Sequence, residues 1–462
     1  MPKAKILDQP FLLETLLKFL SSRGPTKAKD LCAWLKISQP AFSRLVARGK
    51  DAILRMGHGP HTEYACRRIG GWGASRIPLF AIDEEGILRR VATIHPIAPQ
   101  GIYLEAESEN FRTKTYPNLP YFLEDLRPSG FLGRLVPRLY PDLGFPDDIA
   151  RWTDDDCLVY LTHCGWNLVG NYILGEKAYD AYVKADITRL NVVEDPDRAT
   201  CYPQIAALVL SQGLPGSSAA GEQPKFLAIR KTQDGCVPVL VKFSPPILDT
   251  LSQRVADLLI CEHIAHSVLR RHGKTASQSC LIRGGERLFL EIERFDRARL
   301  GGRRGVISLH ALDLEFVGQH RSWAETAEAL WHQKKIDYEA YETIVWLDVF
   351  GKLIGNSDRH HGNIAFFCTG EIIGGLAPTY DMLPMMYAPQ HHQLVEKSFD
   401  PAPPRFFERA VWDDAVAAAR DYWIQVQAHA ELSDLFRTVA ANHAATLTKT
   451  LSFSLGTPQG SR

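Results

Sequence analysis

The stretch "GNSDRHHGNIAFF", from Gly355 to Phe367, is polar and charged, although apolar segments adjoin it on both sides. "IVWLDVFGKLI" precedes it, and "IAFF" closes it. Polar groups placed between buried segments need hydrogen bonds, ions or ligands as partners. This stretch is therefore expected to form a site, and the rest of the sequence indicates what kind of site it is.

Two residues of this stretch have a spacing typical of phosphotransfer. Asp358 and Asn363 are five residues apart, which is the D-x-x-x-x-N spacing of the protein-kinase catalytic loop. In that loop the Asp accepts a hydroxyl proton and the Asn ligates Mg²⁺. Asp381 follows in the turn "APTYDMLP", where a kinase places a second metal-binding Asp. Mg²⁺ prefers such oxygen ligands.

A lysine and a glutamate upstream add a second element. Lys242 stands in "VLVKF", an apolar strand, and a buried ammonium group needs an anion. Glu262 interrupts the apolar face of the helix predicted over "LDTLSQRVADLLICEHIAHSVLRRHG". Protein kinases use such a Lys–Glu pair to position ATP phosphates. A purely structural ion pair would give the same pattern.

The bulk composition is that of a globular protein with several domains. The 462 residues are 45% hydrophobic and 23% charged, a length that predicts two to four domains. The sequence contains no run of about 18 apolar residues, so no membrane span is predicted. The N-terminus does not resemble a signal peptide. Nine scattered Cys without a C-x-x-C pair indicate reduced thiols and a cytoplasmic location.

Charge is unevenly spread, and this favours a nucleic-acid-binding N-terminus. Residues 1–70 carry 13 Lys and Arg against 5 Asp and Glu, a net charge of +8, which leaves −8 for the remainder. The predicted order is helix, helix, turn, helix and hairpin, the order of a winged helix-turn-helix, with Thr26 and Ser38 as helix caps. Groups suited to double-stranded DNA are Ser38, Gln39, Ser43, Arg44 and Arg48. A small protein-binding helical domain is the alternative.

The segment between this region and Lys242 is less regular. "PLFAIDEEGILRRVATIHPI" and "GIYLEAE" predict strands, and a loop is predicted from near residue 180 to about 203. The acidic run Asp154 to Asp156 could bind a metal, but a solvated helix N-terminus is the preferred interpretation. A small-residue loop then leads into the next strand at "GSSAAGEQPKFLAIR".

Taken together, these pieces resemble the HipA-type serine/threonine kinases, whose founding member is a toxin of a bacterial toxin–antitoxin pair. The matching segments are "SSAAGEQPKF", "VKF", "CEHIAHSVLRRHG", "IERFDR", "GNSDRHHGNIAFF" and "APTYDMLP", in the family's order over residues 204–450. "LPYFLEDLRPSGFLGR" resembles the segment before the kinase core. The basic N-terminal region resembles the YjjJ-like branch, in which a DNA-binding domain is fused to the toxin.

The resemblance implies a fold and a division into domains. We expect an α+β protein with a two-lobed protein-kinase-like (HipA/PI3-kinase-like) core, which has a mixed N-lobe and a helical C-lobe. A winged helix-turn-helix domain is expected to precede this core. The expected domains are residues 1–70 for the winged helix-turn-helix, 71–203 for an α/β subdomain, 204–300 for the N-lobe and 301–462 for the C-lobe.

The resemblance also assigns roles to individual residues and implies ATP and Mg²⁺ as cofactors. Asp358 matches the catalytic base, Asn363 and Asp381 match the metal ligands, and Lys242 matches the phosphate-binding lysine. Ser218, or the adjacent Ser217, matches a serine whose autophosphorylation shuts the kinase off. The other nucleotide-binding matches are Ala220, Gly221, Glu222, Gln223, Pro224 and Lys225 in the phosphate loop, Glu262, Glu293, Arg294 and Phe295 near the nucleotide, and His360 and Tyr380.

The sequence departs from the family where the substrate would bind. "GVISLHALDLEFVGQHRSW" replaces the family's acidic, Gln-rich motif, and Pro224 replaces an acidic residue. The implied protein substrate could be translation-related, but the family's synthetase target is not carried over; an antitoxin is a further implied partner. Two rival hypotheses stay open: a metal-dependent nuclease using Asp358, His360 and His361, and a catalytically silent nucleotide-binding transcriptional regulator.

Overall fold

The computed structural model of the chain describes residues 9–185, 191–211, 223–298, 301–391, 393–395 and 397–456. The N-terminal region consists of helices α1 (Gln9–Arg23), α2 (Ala28–Leu35) and α3 (Gln39–Arg48) and strands β1 (Thr26–Lys27), β2 (Ile53–Met56) and β3 (Glu63–Cys66). The strands form an antiparallel sheet in the order β1-β3-β2. Apolar residues of all three helices meet above it, among them Leu16, Leu31 and Phe42.

The helix starts in this region were predicted with one error. Ser38 is the N-cap of α3, and Pro40 stands in its first turn, as the sequence indicates. Thr26 does not cap α2, whose N-cap is Lys27. Thr26 lies in β1 instead and pairs with Tyr64, because the short turn after α1 adds an edge strand to the hairpin.

A second antiparallel sheet follows, with five strands in the order β7-β6-β5-β4-β8. Three helices accompany it, and the acidic run lies at the start of the second of them. Its strands are β4 (Ile77–Ile82), β5 (Leu88–Pro96), β6 (Ile102–Ala106), β7 (Lys114–Tyr116) and β8 (Tyr172–Leu174), and its helices are α4 (Gly130–Leu139), α5 (Asp154–Cys164) and α6 (Glu176–Lys184).

The acidic run at the start of α5 is accounted for by protein partners. Asp156 forms a capping box with Thr153, Asp155 accepts a hydrogen bond from Arg68 at 2.7 Å, and Asp154 pairs with Arg127. Carboxylates stabilise a helix N-terminus. The geometry therefore supports the interpretation as a helix N-terminus rather than a metal site.

The third sheet carries Lys242. Its order is β12-β13-β11-β10-β9, and β9 runs parallel to β10 while the other neighbours are antiparallel. The elements are β9 (Val192–Glu194), α7 (Arg198–Ser211), β10 (Lys225–Thr232), β11 (Gly235–Phe243), α8 (Thr250–Arg271), β12 (Ser279–Gly284) and β13 (Arg287–Glu293).

The loop predicted up to about residue 203 is wrong. Helix α6 ends at Lys184 and is followed, beyond the gap, by β9 and α7. Tyr202 of α7 is fully buried and packs against Phe226 and Phe289 of the third sheet. A domain boundary at residue 204 would therefore divide a helix that belongs to this sheet.

The C-terminal part is mostly helical and includes a small sheet, β14-β15-β16. Its strands are β14 (Gly305–Ser308), β15 (Ala365–Thr369) and β16 (Ile372–Leu376), and its helices are α9 (Leu309–Leu312), α10 (Trp323–His332), α11 (Tyr338–Leu353), α12 (Arg409–Ala428) and α13 (Asp434–Gly456). A π-helical turn, Asp313–Val317, continues α9. Within the described ranges, no helix is long and apolar enough to cross a membrane.

One apolar core joins the second sheet to the helical part. It extends from Trp72 to Leu447 and includes residues of α5, α8, α11 and α12. Polar contacts cross the same boundary: Asp125 accepts hydrogen bonds from the backbone N–H and the hydroxyl of Ser308, at 2.6 and 2.5 Å. The N–H of Gly170 donates to Asp296 at 2.9 Å. The second sheet therefore packs as a fixed support for the parts that follow it.

Glu291 of β13 provides a stability test for the third sheet, because it is buried and accepts hydrogen bonds from Tyr202 at 2.5 Å, Arg230 at 2.7 Å and Arg198 at 3.2 Å. Glu291→Gln removes the charge that these guanidinium groups face, and we expect it to lower the free energy of unfolding by about 3 kcal/mol. Denaturant titration measures this change. Glu194→Gln, which breaks an exposed pair with Lys231, should cost less than about 1 kcal/mol; equal costs would contradict the expectation.

Candidate active site

A cleft of about 1270 Å³ lies where the third sheet meets the helical part. Its walls come from β10, β11 and α8 on one side and from the stretch 358–363 and Tyr380–Asp381 on the other. A segment of the second-sheet region, residues 124–132, contributes a further wall. The cleft thus brings together most of the residues that the sequence predicts for catalysis and nucleotide binding.

Lys242 lies at one end of the cleft, at the centre of a cluster of charged side chains. Its Nζ lies 2.7 and 2.8 Å from the two carboxylate oxygens of Glu262 and also contacts Asp381. Lys242 is 5% exposed and Glu262 1% exposed. The contact predicted between the strand lysine and the helix glutamate is therefore present, and Asp381 joins it from a distant part of the chain.

Electrostatics keep this cluster charged despite its burial. Burial alone would lower the pKa of Lys242, but Asp381 and Glu262 outweigh it and raise that pKa above its usual value. Burial opposes the charge on Asp381, yet Lys242 and Lys225 hold the pKa of this carboxyl well below its usual range. Burial raises the pKa of Glu262, but contact of both its oxygens with Lys242 is the arrangement of an ionised carboxylate. Burial lowers the pKa of nearby His266 to about 3, so that ring is neutral.

Asp381 occupies an unusual backbone conformation. Its φ is +51°, in the left-handed region that residues with a Cβ seldom adopt. The preceding Tyr380 donates a hydrogen bond from its hydroxyl to the carbonyl of Gly362 at 2.6 Å and stacks on Phe295. This anchoring fixes the turn, so that Asp381 is held between Lys242 and the stretch that carries Asp358.

The backbone around Asp358 is held from two directions. The side chain of Asn356, which is fully buried, accepts a hydrogen bond from the N–H of Asp358 at 3.0 Å. The side-chain amide of Asn363 donates to the carbonyl of Asp358 at 2.9 Å. Asp358 itself is exposed and lines the cleft. Its carboxylate can therefore meet a hydroxyl group in the cleft while its backbone stays in place.

Arg359 ties the same stretch to helix α11. Its Nε donates to the buried Asp348 at 3.1 Å, and its NH1 donates to the carbonyl of Asn356. Lys352 also pairs with Asp348 at 3.0 Å. Because Asp348 faces both cations, the stretch is attached to a core helix by charge as well as by backbone hydrogen bonds.

The two adjacent histidines have separate partners. Nδ1 of His360 accepts a hydrogen bond from the N–H of Gly362 at 3.1 Å. His361 is buried, with Nε2 at 2.9 Å from the hydroxyl of Thr326. In the part of the chain that the structure describes, no three His, Cys, Asp or Glu side chains are arranged to hold a metal ion. Both histidine side chains thus have hydrogen-bond partners within the protein.

Several predicted nucleotide contacts do not line the cleft or lie outside the described residues. Glu293 pairs with Arg230 at 2.6 Å, and Arg294 pairs with Asp296 at 2.8 Å. Phe295 stacks on Tyr380, which lines the cleft. Gln223, Pro224 and Lys225 line the cleft. The loop residues Ala220, Gly221 and Glu222 and the serines Ser217 and Ser218 lie outside the described residues.

Three groups of residues in or beside the cleft were not predicted. Asn356 was missed, although its position two residues before Asp358 in a polar stretch was a usable signal. The Asp125–Ser308 contact could not be inferred, because no local pattern brings these distant residues together. His310 and His320 line the cleft, and both fall in the stretch that departs from the resembled family.

The residues present suit a nucleotide with Mg²⁺. Asp381 and Asn363 offer carboxylate and amide oxygens, the ligands that Mg²⁺ prefers. Lys242 and Lys225 place positive charge at the same end of the cleft, where phosphate groups could bind. Asp358 lines the cleft too and is free of the Lys242 cluster's ion pairs, so one carboxylate remains for proton transfer.

Comparisons with known proteins agree with these observations. Residues 73–183 match the family described as "YjjJ-like toxin, middle domain", and residues 217–446 match the "HipA-like C-terminal domain". The chain is 37% identical over 429 residues to the toxin YjjJ of Escherichia coli K12, covering 90% of this chain and 94% of that protein. It is 25% identical over 260 residues to the serine/threonine-protein kinase toxin HipA of Shewanella oneidensis, covering 50% and 57%.

A solved structure shows the same fold. A chain in the complex of the Shewanella oneidensis toxin–antitoxin system HipA, HipB and operator DNA superposes with a TM-score of 0.57 at 15% identity. The match covers 82% of this chain and 97% of that chain. At this identity the likeness concerns the fold alone.

The anchoring of Arg359 gives a test that needs no substrate. Asp348→Asn should weaken the attachment of the stretch 356–363 to α11, because a buried charge-assisted pair is worth about 1–3 kcal/mol. We expect amide hydrogen exchange in 356–363 to be faster by about tenfold, the factor that 1.4 kcal/mol corresponds to. Asp413→Asn, on an exposed position of α12, is the control and should leave these amides unchanged. Unaltered exchange in Asp348→Asn would show that the salt bridge does not hold the stretch.

Proposed function

Because the chain belongs to the YjjJ-like toxin family and carries a HipA-like kinase domain, we propose that it transfers the γ-phosphate of ATP to a serine or threonine of a protein. One observation carries the proposal: Lys242, Glu262 and Asp381 form a charged cluster in the same cleft that presents Asp358. This is the set of groups that phosphoryl transfer requires. Growth inhibition would follow from modification of the protein target.

Phosphate binding, metal binding and proton transfer are assigned to different residues of the chain. Mg²⁺–ATP, when bound, supplies the phosphoryl group and neutralises its charge. Lys242, positioned by Glu262, binds phosphate oxygens, and Asn363 and Asp381 hold the metal. Asp358 orients the acceptor hydroxyl and takes its proton, since its backbone is fixed by Asn356 and Asn363 while its carboxylate faces the cleft.

Other residues are assigned to nucleotide binding and control. Gln223, Pro224 and Lys225 line the cleft and, together with Ala220, Gly221 and Glu222, are assigned to the phosphates, and Tyr380 and His360 are assigned to the nucleotide. The resemblance also assigns Glu293, Arg294 and Phe295 to the nucleotide, although these three do not line the cleft. Autophosphorylation at Ser218, or at Ser217, would then switch the enzyme off. These assignments rest on the resemblance to the HipA-type kinases and on the placement of Gln223, Pro224 and Lys225 in the cleft.

The catalytic assignment is tested by Asp358→Ala. We expect phosphotransfer from labelled ATP to fall by at least about 100-fold, since general-base catalysis contributes about 10²–10⁴-fold. ATP affinity, measured by calorimetry, should stay within about twofold, because Asp358 stands apart from the Lys242 cluster. The same change should also remove growth inhibition when the protein is expressed.

Three outcomes separate the hypotheses in this experiment. Retained phosphotransfer in Asp358→Ala would refute the assignment of the base. ATP binding without any phosphotransfer by the unmodified chain would favour the silent regulator. Asp413→Ala, an exposed helix position, serves as the control for expression and folding.

We further propose that the N-terminal region is a winged helix-turn-helix that binds double-stranded DNA. Helices α2 and α3 are joined by a short turn, and the hairpin β2–β3 follows. All five predicted contact residues, Ser38, Gln39, Ser43, Arg44 and Arg48, are exposed on α3 or at its start. Operator DNA and HipB accompany HipA in the Shewanella complex, which supports DNA and an antitoxin as partners here.

DNA binding is tested through its salt dependence. Arg44→Ala and Arg48→Ala should each weaken binding to an upstream DNA fragment and lower the slope of log K against log salt by about 1, because each removes one cation that neutralises a phosphate. Arg89→Ala, an exposed arginine on β5, should leave the slope unchanged. Affinity that does not respond to either α3 substitution would favour a protein-binding role for this region.

A further inference from the structure

The cleft contains a histidine that the proposed reaction does not use. His320 lies in "GVISLHALDLEFVGQHRSW", between β14 and α10, and lines the same cleft as Asp358. Its side chain is 59% exposed, whereas its partner Asp313 is fully buried. An exposed imidazole at the edge of a cleft is available to a ligand that binds there.

Asp313 organises the whole turn that carries His320. Its carboxylate accepts hydrogen bonds from the N–H of His320 at 3.1 Å and of Gln319 at 3.4 Å, and its carbonyl accepts one from Gly318 at 2.6 Å. His320 has a φ of +46°, a conformation that costs a non-glycine residue free energy. The π-helical turn that begins at Asp313 is a further irregularity, and such turns are frequent at functional sites.

The same carboxylate faces one ring nitrogen of the imidazole. Nδ1 of His320 lies 3.1 Å from Oδ2 of Asp313. A carboxylate oxygen accepts hydrogen bonds, which favours the hydrogen on Nδ1, the ring nitrogen that faces it. A neutral ring with its hydrogen on Nδ1 presents Nε2 as a hydrogen-bond acceptor, on a side chain that is 59% exposed.

A chain of ring contacts places His320 beside the catalytic stretch. Its ring lies 6.2 Å from that of His361 and 5.8 Å from that of His310. His361 follows Asp358 by three residues and is held by Thr326. Among these histidines, the backbone N–H of His320 bonds Asp313 and the ring of His361 bonds Thr326. Lys242, Glu262 and Asp381 bond one another at the nucleotide end of the cleft.

We propose that His320 selects the phosphoacceptor: its Nε2 accepts a hydrogen bond from an N–H or O–H donor side chain that stands beside the serine or threonine presented to Asp358. This deepens the proposed kinase function and rests on it. The substrate class is a polypeptide segment with Ser, Thr, Asn, Gln, Lys or Arg at one fixed position from the phosphorylated residue. Acidic groups are disfavoured there, because Asp313 already supplies negative charge.

Substitutions at His320 and Asp313 distinguish this role from a structural one. His320→Ala removes the acceptor, whereas His320→Gln restores an acceptor oxygen near the position of Nε2. Asp313→Asn can donate to Nδ1 and so reverse the tautomer, which would turn Nε2 into a donor. His332→Ala, an exposed histidine of α10 outside the cleft, is the matched control.

The experiment maps phosphorylation sites made by each full-length variant in phosphatase-treated bacterial extract with ATP and Mg²⁺, with Asp358→Ala as the background. Sites of the unmodified chain should share a donor side chain at one fixed position. His320→Ala should phosphorylate them about 2- to 12-fold more slowly, the range for one hydrogen bond of about 0.5–1.5 kcal/mol, and should lose the preference. His320→Gln should keep it, ATP affinity should be unchanged, and Asp313→Asn should shift the preference toward Asp and Glu.

Three other results would contradict the proposal. Identical sites and rates for His320→Ala and the unmodified chain would overturn the role of His320 while leaving the kinase assignment intact. Loss of ATP binding in both His320 variants would mark the residue as structural and would also overturn the proposal. Absence of any Asp358-dependent site, or label transferred to nucleic acid instead of protein, would refute the proposed function and this inference with it.

Discussion

The burial of one ammonium group constrains the rest of the molecule. Lys242 on β11 needs negative charge because it lies almost entirely out of solvent. Glu262 supplies one carboxylate from α8. Asp381 supplies the other from a turn that lies 139 residues after Lys242 in the chain. Strand, helix and turn therefore have to meet at one point, and the cleft opens where they do.

Much of this site could be predicted because its partners are close in sequence or chemically obligatory. Asp358 and Asn363 are five residues apart, and an apolar strand bearing Lys242 requires an anion on the next helix. Helix α7 was missed because Pro203 and a polar start obscure its helical periodicity. In the structure, Tyr202 of this helix is fully buried. His310 and His320 on the cleft wall were missed since only the tertiary fold brings them near Asp358.

Strain is concentrated around the cleft. Among the described residues, those other than glycine with positive φ are Lys36, His320, Lys334, Asp381 and His391, and the last two together with His320 line the cleft. Such conformations persist only where neighbouring contacts enforce them. At Asp381 the enforcing contacts are the Lys242 ion pair and the anchored Tyr380; at His320 they are the hydrogen bonds to Asp313.

The contacts between the second sheet and the helical part have an evolutionary consequence. Asp125 bonds Ser308 and Gly170 bonds Asp296 across the boundary between the two matched families, and residues 124–132 line the cleft. A substitution on one side thus changes the fit of the other. The two segments are expected to be inherited as a pair, so recombination that exchanges only one of them between relatives would be selected against.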